Sequence, residues 1–585
     1  MTLFIPNKNL TIPLAGLLVI LLAVVFCMWP GMHSPLFADD VHQLAKSKEI
    51  VKWTEVFSID VFGYYRPVKN ALFKLAAPFE NNLVAWHWIG LIAYLGATVG
   101  VFRIAAICLG TGLAAWLATC FWALSPSCVS TGVWLSCANI SIGIIFGALV
   151  FHFHERWAVR PSFGLLVTSG IFFALSLVCY ESLIAVPALL FIRDFQQRRL
   201  SFNRPTLIRY GTYTLVALAF LIVRHEFAAR AIGEANLHPG FEPNTKAIHM
   251  TLSAPWFLWR HFLMWVFPFG TIEILGSYWW LRSASVASLA FGWVFFGALL
   301  VSAAMTWKRF PAVAFGLLFF FVASLPSGNF IPCYNGPIYD AYVTIPSIGL
   351  AIALAKICEL LIYQFKSRRK AAESGSIAIM MVLALLLIYR LPVCGAYFRY
   401  WAGVWANPVE LLLLTTETRP LQTQAKGYVT ILLLNGGYID HAELLANEVI
   451  SEAPWDPTAK MAIARIAIYR KDLLKAEKYF RLILDSPRSP PFLKNPARFE
   501  LAEILEKNPA HRGEVTQLLR EFLVSRKTDD HPKAIVMLSR IYKDEGDILK
   551  ARATLERGLS LYPNNKRLTL MLESIGQPTP AQGTN

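Results

Sequence analysis

The sequence predicts an all-α, polytopic membrane helical bundle of about eleven spans that carries a helical-repeat solenoid at its C-terminus. Two observations predict the bundle. Apolar runs of membrane-crossing length, about 20 residues in the typical case, recur from Thr11 to Pro392. Of the 585 residues, 56% are apolar and only 16% charged, which excludes a single soluble globule. A third observation predicts the second domain. After Arg399 the aromatic-rich runs stop and charged, Ala/Leu-patterned helices begin, which divides the chain into residues 1–395 and 396–585.

The first apolar stretch, Thr11 to Trp29, is long and lacks an Ala-x-Ala cleavage site, as expected of an uncleaved signal anchor. The spans fall at about 11–30, 83–104, 109–125, 136–152, 162–180, 182–192, 207–224, 287–306, 310–325, 341–362 and 376–392. A twelfth apolar segment, 253–271, is decided by charge. If it crossed the membrane, the clusters at Trp307-Lys308-Arg309 and 366–370 would lie opposite the one formed by Arg193, Arg198, Arg199, Arg204 and Arg209. Basic loops gather on the cytoplasmic side, so the segment is expected to be re-entrant or interfacial, which also spares Arg260 and His261 the bilayer centre.

An odd number of spans puts the N-terminus inside. The C-terminal domain then faces the periplasm of a bacterial inner membrane or the lumen of the endoplasmic reticulum. The outer face receives the loops 31–82, 226–286 and 326–340 and the turn at Cys179 to Ser182. The formal charge of +16 lies largely in short loops, where it sets topology and does not point to nucleic acid. Nine cysteines, several inside spans and none in paired zinc spacing, predict neither a disulfide framework nor a metal site.

In the tail, Gly437-Tyr438 precedes Ala442 and Pro454, Lys471-Asp472 precedes Ala476 and Pro487, and Glu545-Gly546 precedes Ala551 and Pro563. Ala442 and Ala476 stand 34 residues apart. That period, with small residues where two helices cross and proline after the second, is the tetratricopeptide signature. A degenerate unit fits around Arg512 to Leu523. Such stacks usually hold an extended peptide on their concave face, although a plain helical bundle accounts for the same residues.

Residues with chemistry cluster at the outer borders. Asp39 and Asp40 open a short amphipathic helix that ends near Trp53. Two adjacent carboxylates raise one pKa toward neutrality and suit a general base, while Asp40 equally suits an N-cap. In Tyr64-Tyr65-Arg66-Pro67-Val68-Lys69, a guanidinium and an ammonium lie beside aromatic rings. They fit either a phosphate or headgroup anchoring. Trp86 and His87 divide the same way, Trp86 toward anchoring. Glu181 and Asp340 are site candidates by position, or partners of Arg66, Arg224 or Arg260. Asn329 reads as a turn residue.

No glycine-rich phosphate loop, nucleophile elbow or His-Glu-x-x-His occurs, which leaves nucleotide chemistry and proteolysis unsupported. An outward site at membrane level has no nucleotide pool, so its substrate is expected to be a lipid carrier.

In this order of features the chain resembles the GT-C class of membrane glycosyltransferases, and more closely the transmembrane and tetratricopeptide-repeat O-mannosyltransferases. The resemblance covers nearly the whole chain. It rests on Asp39-Asp40, Tyr65-Arg66-Pro67, Glu181 before Ser182-Leu183-Ile184, Pro326 with Asn329, Asp340-Ala341-Tyr342 running into Ile345-Pro346-Ser347-Ile348-Gly349, and the repeats. It implies inverting transfer of one sugar, such as mannose, from a dolichyl or undecaprenyl phosphate to a hydroxyl, which a protein or peptide brought by the repeats would supply. Asp39 or Asp40 would be the base and Arg66 the donor-phosphate ligand. Lys69, His87, Glu181, Arg260 and Asp340 would complete the substrate site, with no metal and no obligatory cofactor beyond the lipid-linked sugar.

The chain departs from the pattern at Ser125-Pro126-Ser127-Cys128-Val129-Ser130, where relatives carry an acidic residue, and at Tyr180 and Ala341, where they carry basic ones. Two alternatives stand beside this expectation. One is a membrane-anchored scaffold whose repeats bind a partner without catalysis. The other is an O-antigen ligase or polymerase, which would place a large basic loop late, whereas 326–340 is short and holds no lysine or arginine.

Overall fold

The computed structural model describes residues 14–37, 39–58, 60, 64–201, 203–227, 247–269, 285–330, 339–368, 374–418, 423–487, 489–524 and 530–575. Most of the expected outer loop 226–286, residues 331–338 of the late loop, and Arg369 and Lys370 of a basic cluster lie outside them. Among the described residues every regular element is a helix. They fall into two compact units that divide between residues 418 and 423. The helices Cys394–Trp405 and Pro408–Thr418 belong to the first unit, although the composition shift lies near 395. Phe398, Trp401 and Trp405 bury their rings there.

The first unit opens with α1 (Leu14–Met28), α2 (Asp39–Glu49), α3 (Pro67–Ala76), α4 (Leu83–Leu109), α5 (Leu113–Ala123), α6 (Val129–Val133), α7 (Ala138–Val159) and α8 (Phe163–Cys179). Seven segments are long and apolar enough to cross a membrane: Gly16–His33, Leu83–Leu109, Leu135–Val159, Arg204–Glu226, Val286–Thr306, Ser347–Lys366 and Gly375–Trp405. The pair Leu113–Ala123 and Pro126–Val133 counts as an eighth if taken as one span bent by 62°. Proline breaks the run there, because Pro126 has no N–H to continue the ladder.

The other expected segments are shorter helices, Phe163–Cys179, Pro311–Ser324 and Val186–Gln196. The helix Ala247–Val266 carries Pro255 and Arg260 and is not among the seven.

Apolar side chains such as Leu18, Leu22, Phe26, Ile377, Met381 and Leu385 point outward, as lipid-facing positions require. Small residues let other helices approach. A Cβ on Gly316 or Gly349 would collide with the carbonyl oxygen of the other. One end of the bundle is tied by buried charge. Asp194 accepts from Arg209 (2.6 Å), Tyr210 (2.8 Å) and His154 (3.2 Å), and Glu155 pairs with Arg193 and Arg199.

In the second unit consecutive helices pack as neighbours, in pairs that begin at Thr423, Pro457, Pro491 and His531, with Lys566–Ile575 last. The first two steps are 34 residues each. Ala442, Ala476 and Ala551 are fully buried, because each lies where two helices cross. Gly437 (φ 81°), Lys471 (φ 63°) and Gly546 (φ 82°) make the turns within pairs, and Asp472 and Asp547 cap the helices that follow. Where the degenerate unit is expected, the helices Pro491–Leu505 and Arg512–Val524 are joined through the 3-10 turn Pro509–His511.

Left-handed backbone costs a side chain about 1 kcal/mol or more. Lys471→Gly is therefore expected to raise the unfolding free energy by about 1 kcal/mol and Gly437→Val to lower it by a similar amount. Chemical denaturation of the full chain followed by circular dichroism measures both signs.

Candidate functional site

Asp39 and Asp40 are the first two residues of α2. Asp40 does not cap its own helix. It turns away, and its Oδ1 accepts from the backbone N–H (2.9 Å) and the hydroxyl (2.6 Å) of Ser136, just before α7. Its side chain is buried. Burial pushes its pKa up to about 7, with help from the Asp39 charge and against the two Ser136 bonds and Lys69.

Asp39 keeps about a third of its side chain exposed, 35%. Burial raises its pKa as well, Lys69 and Arg66 oppose that, and Asp60 adds to it.

Lys69 is buried on α3 between two carboxylates, with Nζ 4.0 Å from Asp39 and 4.0 Å from Asp60. Asp60 is held by the Tyr64 N–H (2.9 Å) and returns its own N–H to the Tyr64 carbonyl (2.7 Å). Asn70 pins the loop by donating to the carbonyls of Val56 (2.9 Å) and Ser58 (2.8 Å), and it accepts from Gln43 of α2 (2.7 Å). Sequence reasoning missed Asp60 and Ser136. Asp60 had a signal, a lone carboxylate in the apolar run Ile59-Asp60-Val61-Phe62, whereas a serine between Leu135 and Cys137 had none.

Arg66 stands at the start of α3, where Pro67 begins the helix. Its Nε and Nη2 reach the two oxygens of Glu181 at 2.9 and 2.7 Å, and the rings of Tyr64 and Tyr180 flank it at 4.4 and 5.2 Å. Burial alone would raise the Glu181 carboxyl. The Arg66 guanidinium overrides it and holds the group below the ordinary range. Of the partners open to Glu181 in the sequence, Arg66 is therefore the one it takes.

Asp340 opens the short helix Asp340–Val343 and is fully buried. It accepts from the Ser130 hydroxyl of α6 and from the Ala341 N–H (2.7 Å). The stretch 125–130 has no carboxylate in sequence, and Asp340 brings one to it through space. Thr344 holds that helix in place by bonding Thr131 (2.7 Å) and accepting from Trp122 (2.7 Å). Tyr339 feels both acidic centres, its phenol pushed up by burial and by the charges of Cys137, Asp340 and Asp39.

Asp39, Asp40, Arg66, Lys69 and Glu181 thus form one chain of neighbours with Asp60, and Asp340 joins it through Tyr339. His87 stands apart. Its two ring nitrogens lie 3.1 Å from the Val133 carbonyl and 2.7 Å from that of Ser34, so the ring braces α4 against its neighbours and offers neither nitrogen to a ligand. Trp86 is fully buried against Phe73 (centroids 5.6 Å), a core position and not a headgroup anchor. Arg260 is half-buried on Ala247–Val266, which packs against Asp340–Val343. The neighbouring His261 ring meets Tyr342 at 6.5 Å. Asn329 adopts left-handed backbone (φ 61°), as a turn residue does.

No protein-family model matches the chain, and no curated protein matches it.

Two measurements follow from this geometry. Asp40 holds its proton to about pH 7 in the folded chain but to about 4 when unfolded. Its stabilising contribution is full below pH 4 and lost as pH rises through 7. The melting temperature of Asp40→Asn relative to wild type is therefore expected to improve between pH 5 and 8, and a constant difference would contradict the burial. Second, Arg66→Ala and Glu181→Ala should each lower stability, while the double variant loses less than their sum. The coupling should be about 1 to 3 kcal/mol in a double-mutant cycle.

Proposed function

We propose that the chain is a membrane glycosyltransferase that moves one sugar from a polyprenyl phosphate to a hydroxyl on the outer face. The observation that carries this reading is the gathering of Asp39, Lys69, Arg66, Glu181 and Asp340 at one end of the apolar helices. Exposure favours Asp39 over Asp40 as base, because a base must reach the proton it takes. Asp39 accepts the proton of the acceptor hydroxyl as that oxygen bonds to the anomeric carbon. The bond from that carbon to the phosphate oxygen breaks, and the lipid phosphate leaves with the electron pair.

Glu181 fixes the Arg66 fork by Nε and Nη2, and Nη1 makes no hydrogen bond among the described residues. That N–H is left to meet the departing phosphate, where charge develops. No step in this scheme calls for a metal. In this reading the eleven helical segments all cross the membrane. The helix pairs of the second unit are tetratricopeptide repeats in the periplasm or lumen, a reading their 34-residue steps support, and they present a peptide acceptor.

A second reading, a membrane-anchored scaffold without catalysis, draws support from the full burial of Asp340 and the near-full burial of Asp40. Membranes holding Asp39→Asn separate the two. Transfer of labelled sugar from polyprenyl phosphate should fall by at least about 100-fold, the low end for losing a general base. Undiminished transfer by this variant and by the Asp39/Asp40 double variant would sink the transferase and leave the scaffold.

A further inference from the structure

The helix Cys394–Trp405 has two faces with different surroundings. On one, Trp405 packs against Phe37 (ring centroids 6.3 Å) and Trp134 (5.4 Å). The other borders an open groove of about 460 Å³. Small or compact residues make the room. Ala396 and Gly403 lie on the helix, and Pro30 faces them, 3.6 Å from where a Cβ on Gly403 would stand.

Arg399 and Glu410 both line this groove, yet they form no ion pair with each other among the described residues. Arg399 lays its guanidinium over Phe26 (4.3 Å) and gives an N–H to the Phe26 carbonyl. Glu410 is exposed, in the first turn of Pro408–Thr418, with its backbone N–H on Asn407 (3.3 Å).

The groove lies at headgroup depth. The segment Gly375–Trp405 runs for 31 residues, and about 20 suffice to cross the hydrocarbon, so its last turns stand in the interface. Exposed side chains change accordingly, from Ile377, Met381, Leu385 and Ile388 to the half-exposed ring of Tyr400, as an aromatic belt requires.

We propose that the groove binds the headgroup of a zwitterionic aminophospholipid, with phosphate on Arg399, ammonium on Glu410, and acyl chains along the exposed apolar face of α1. A guanidinium matches phosphate oxygens in a fork, and a carboxylate accepts the N–H donors of a primary ammonium. Two opposite charges that share a groove without pairing leave space for a bipolar ligand between them. A purely anionic lipid, a polyprenyl phosphate included, satisfies Arg399 and is repelled by Glu410. The site is therefore separate from the one proposed for the sugar donor.

The test uses the full chain in detergent, offered equal amounts of phosphatidylethanolamine and phosphatidylglycerol, with retained lipid read by native mass spectrometry. Wild type should keep phosphatidylethanolamine by about tenfold, the discrimination one charge-assisted hydrogen bond supplies. Glu410→Gln should erase the preference and Glu410→Lys invert it. Arg399→Gln should lose both lipids, with circular dichroism confirming an unchanged fold. Equal retention by wild type, or a preference untouched by either Glu410 variant, overturns the proposal.

Discussion

The two-toothed contact between Arg66 and Glu181 organises one end of the first unit. It joins residues 115 apart, one just before α3 and one in the turn after α8. Taking both charges out of water is unfavourable, and only a well-made pair offsets it. Both oxygens of Glu181 are used, and tyrosine rings flank the guanidinium. The pair fixes where α3 begins. Pro67 follows at once, and Lys69, less than one turn further, is carried into the space between Asp39 and Asp60. Lys69 thus inherits its position from this contact, while Asp40 and Asp60 are held by Ser136 and Tyr64.

The opposite end of α7 repeats the logic with different residues. Ser136, at its start, serves Asp40, and His154, nearly five turns on, serves Asp194 together with Arg209 and Tyr210. Between them the helix is almost free of charge. Ionisable groups are tolerated next to hydrocarbon only where partners satisfy them, so they collect at helix ends. The collection around Asp194 is buried, with Asp194 and Glu155 held by three arginines, an imidazole and a phenol. The collection around Arg66 leaves Asp39 partly in solvent. That asymmetry separates a structural clasp from a candidate site.

Much of this was legible in sequence because the informative residues break a strong pattern. Asp39-Asp40, Arg66 and Glu181 interrupt or flank apolar runs, and the alanines at 442, 476 and 551 recur beside turn residues. What escaped depended on long-range geometry. Nothing local tells Ser136 apart from other serines, and the carboxylate that reaches Ser130 comes from 210 residues away. The composition shift near Arg399 marked where the apolar run ends, but the helix continues and its tryptophans pack inward, so the unit ends later. His87 resembled a ligand for want of any local sign that two carbonyls enclose it.

Identical neighbours can still be given different chemistry by a helix. Successive residues on α2 point about 100° apart, so Asp39 and Asp40 cannot share one environment. Asp40 faces α7 and gives one oxygen to Ser136, which pins it and removes it from solvent. Asp39 faces the gap bordered by Lys69 and Tyr339, with water on one side. The exposed partner still acts on the buried one, its charge helping to raise the Asp40 pKa. Below about pH 7 Asp40 is neutral, whereas Asp39 answers to its own burial and to the charges of Lys69, Asp60 and Arg66. The two neighbours are thus set apart by their surroundings, one carboxyl held in the interior and the other left within reach of solvent.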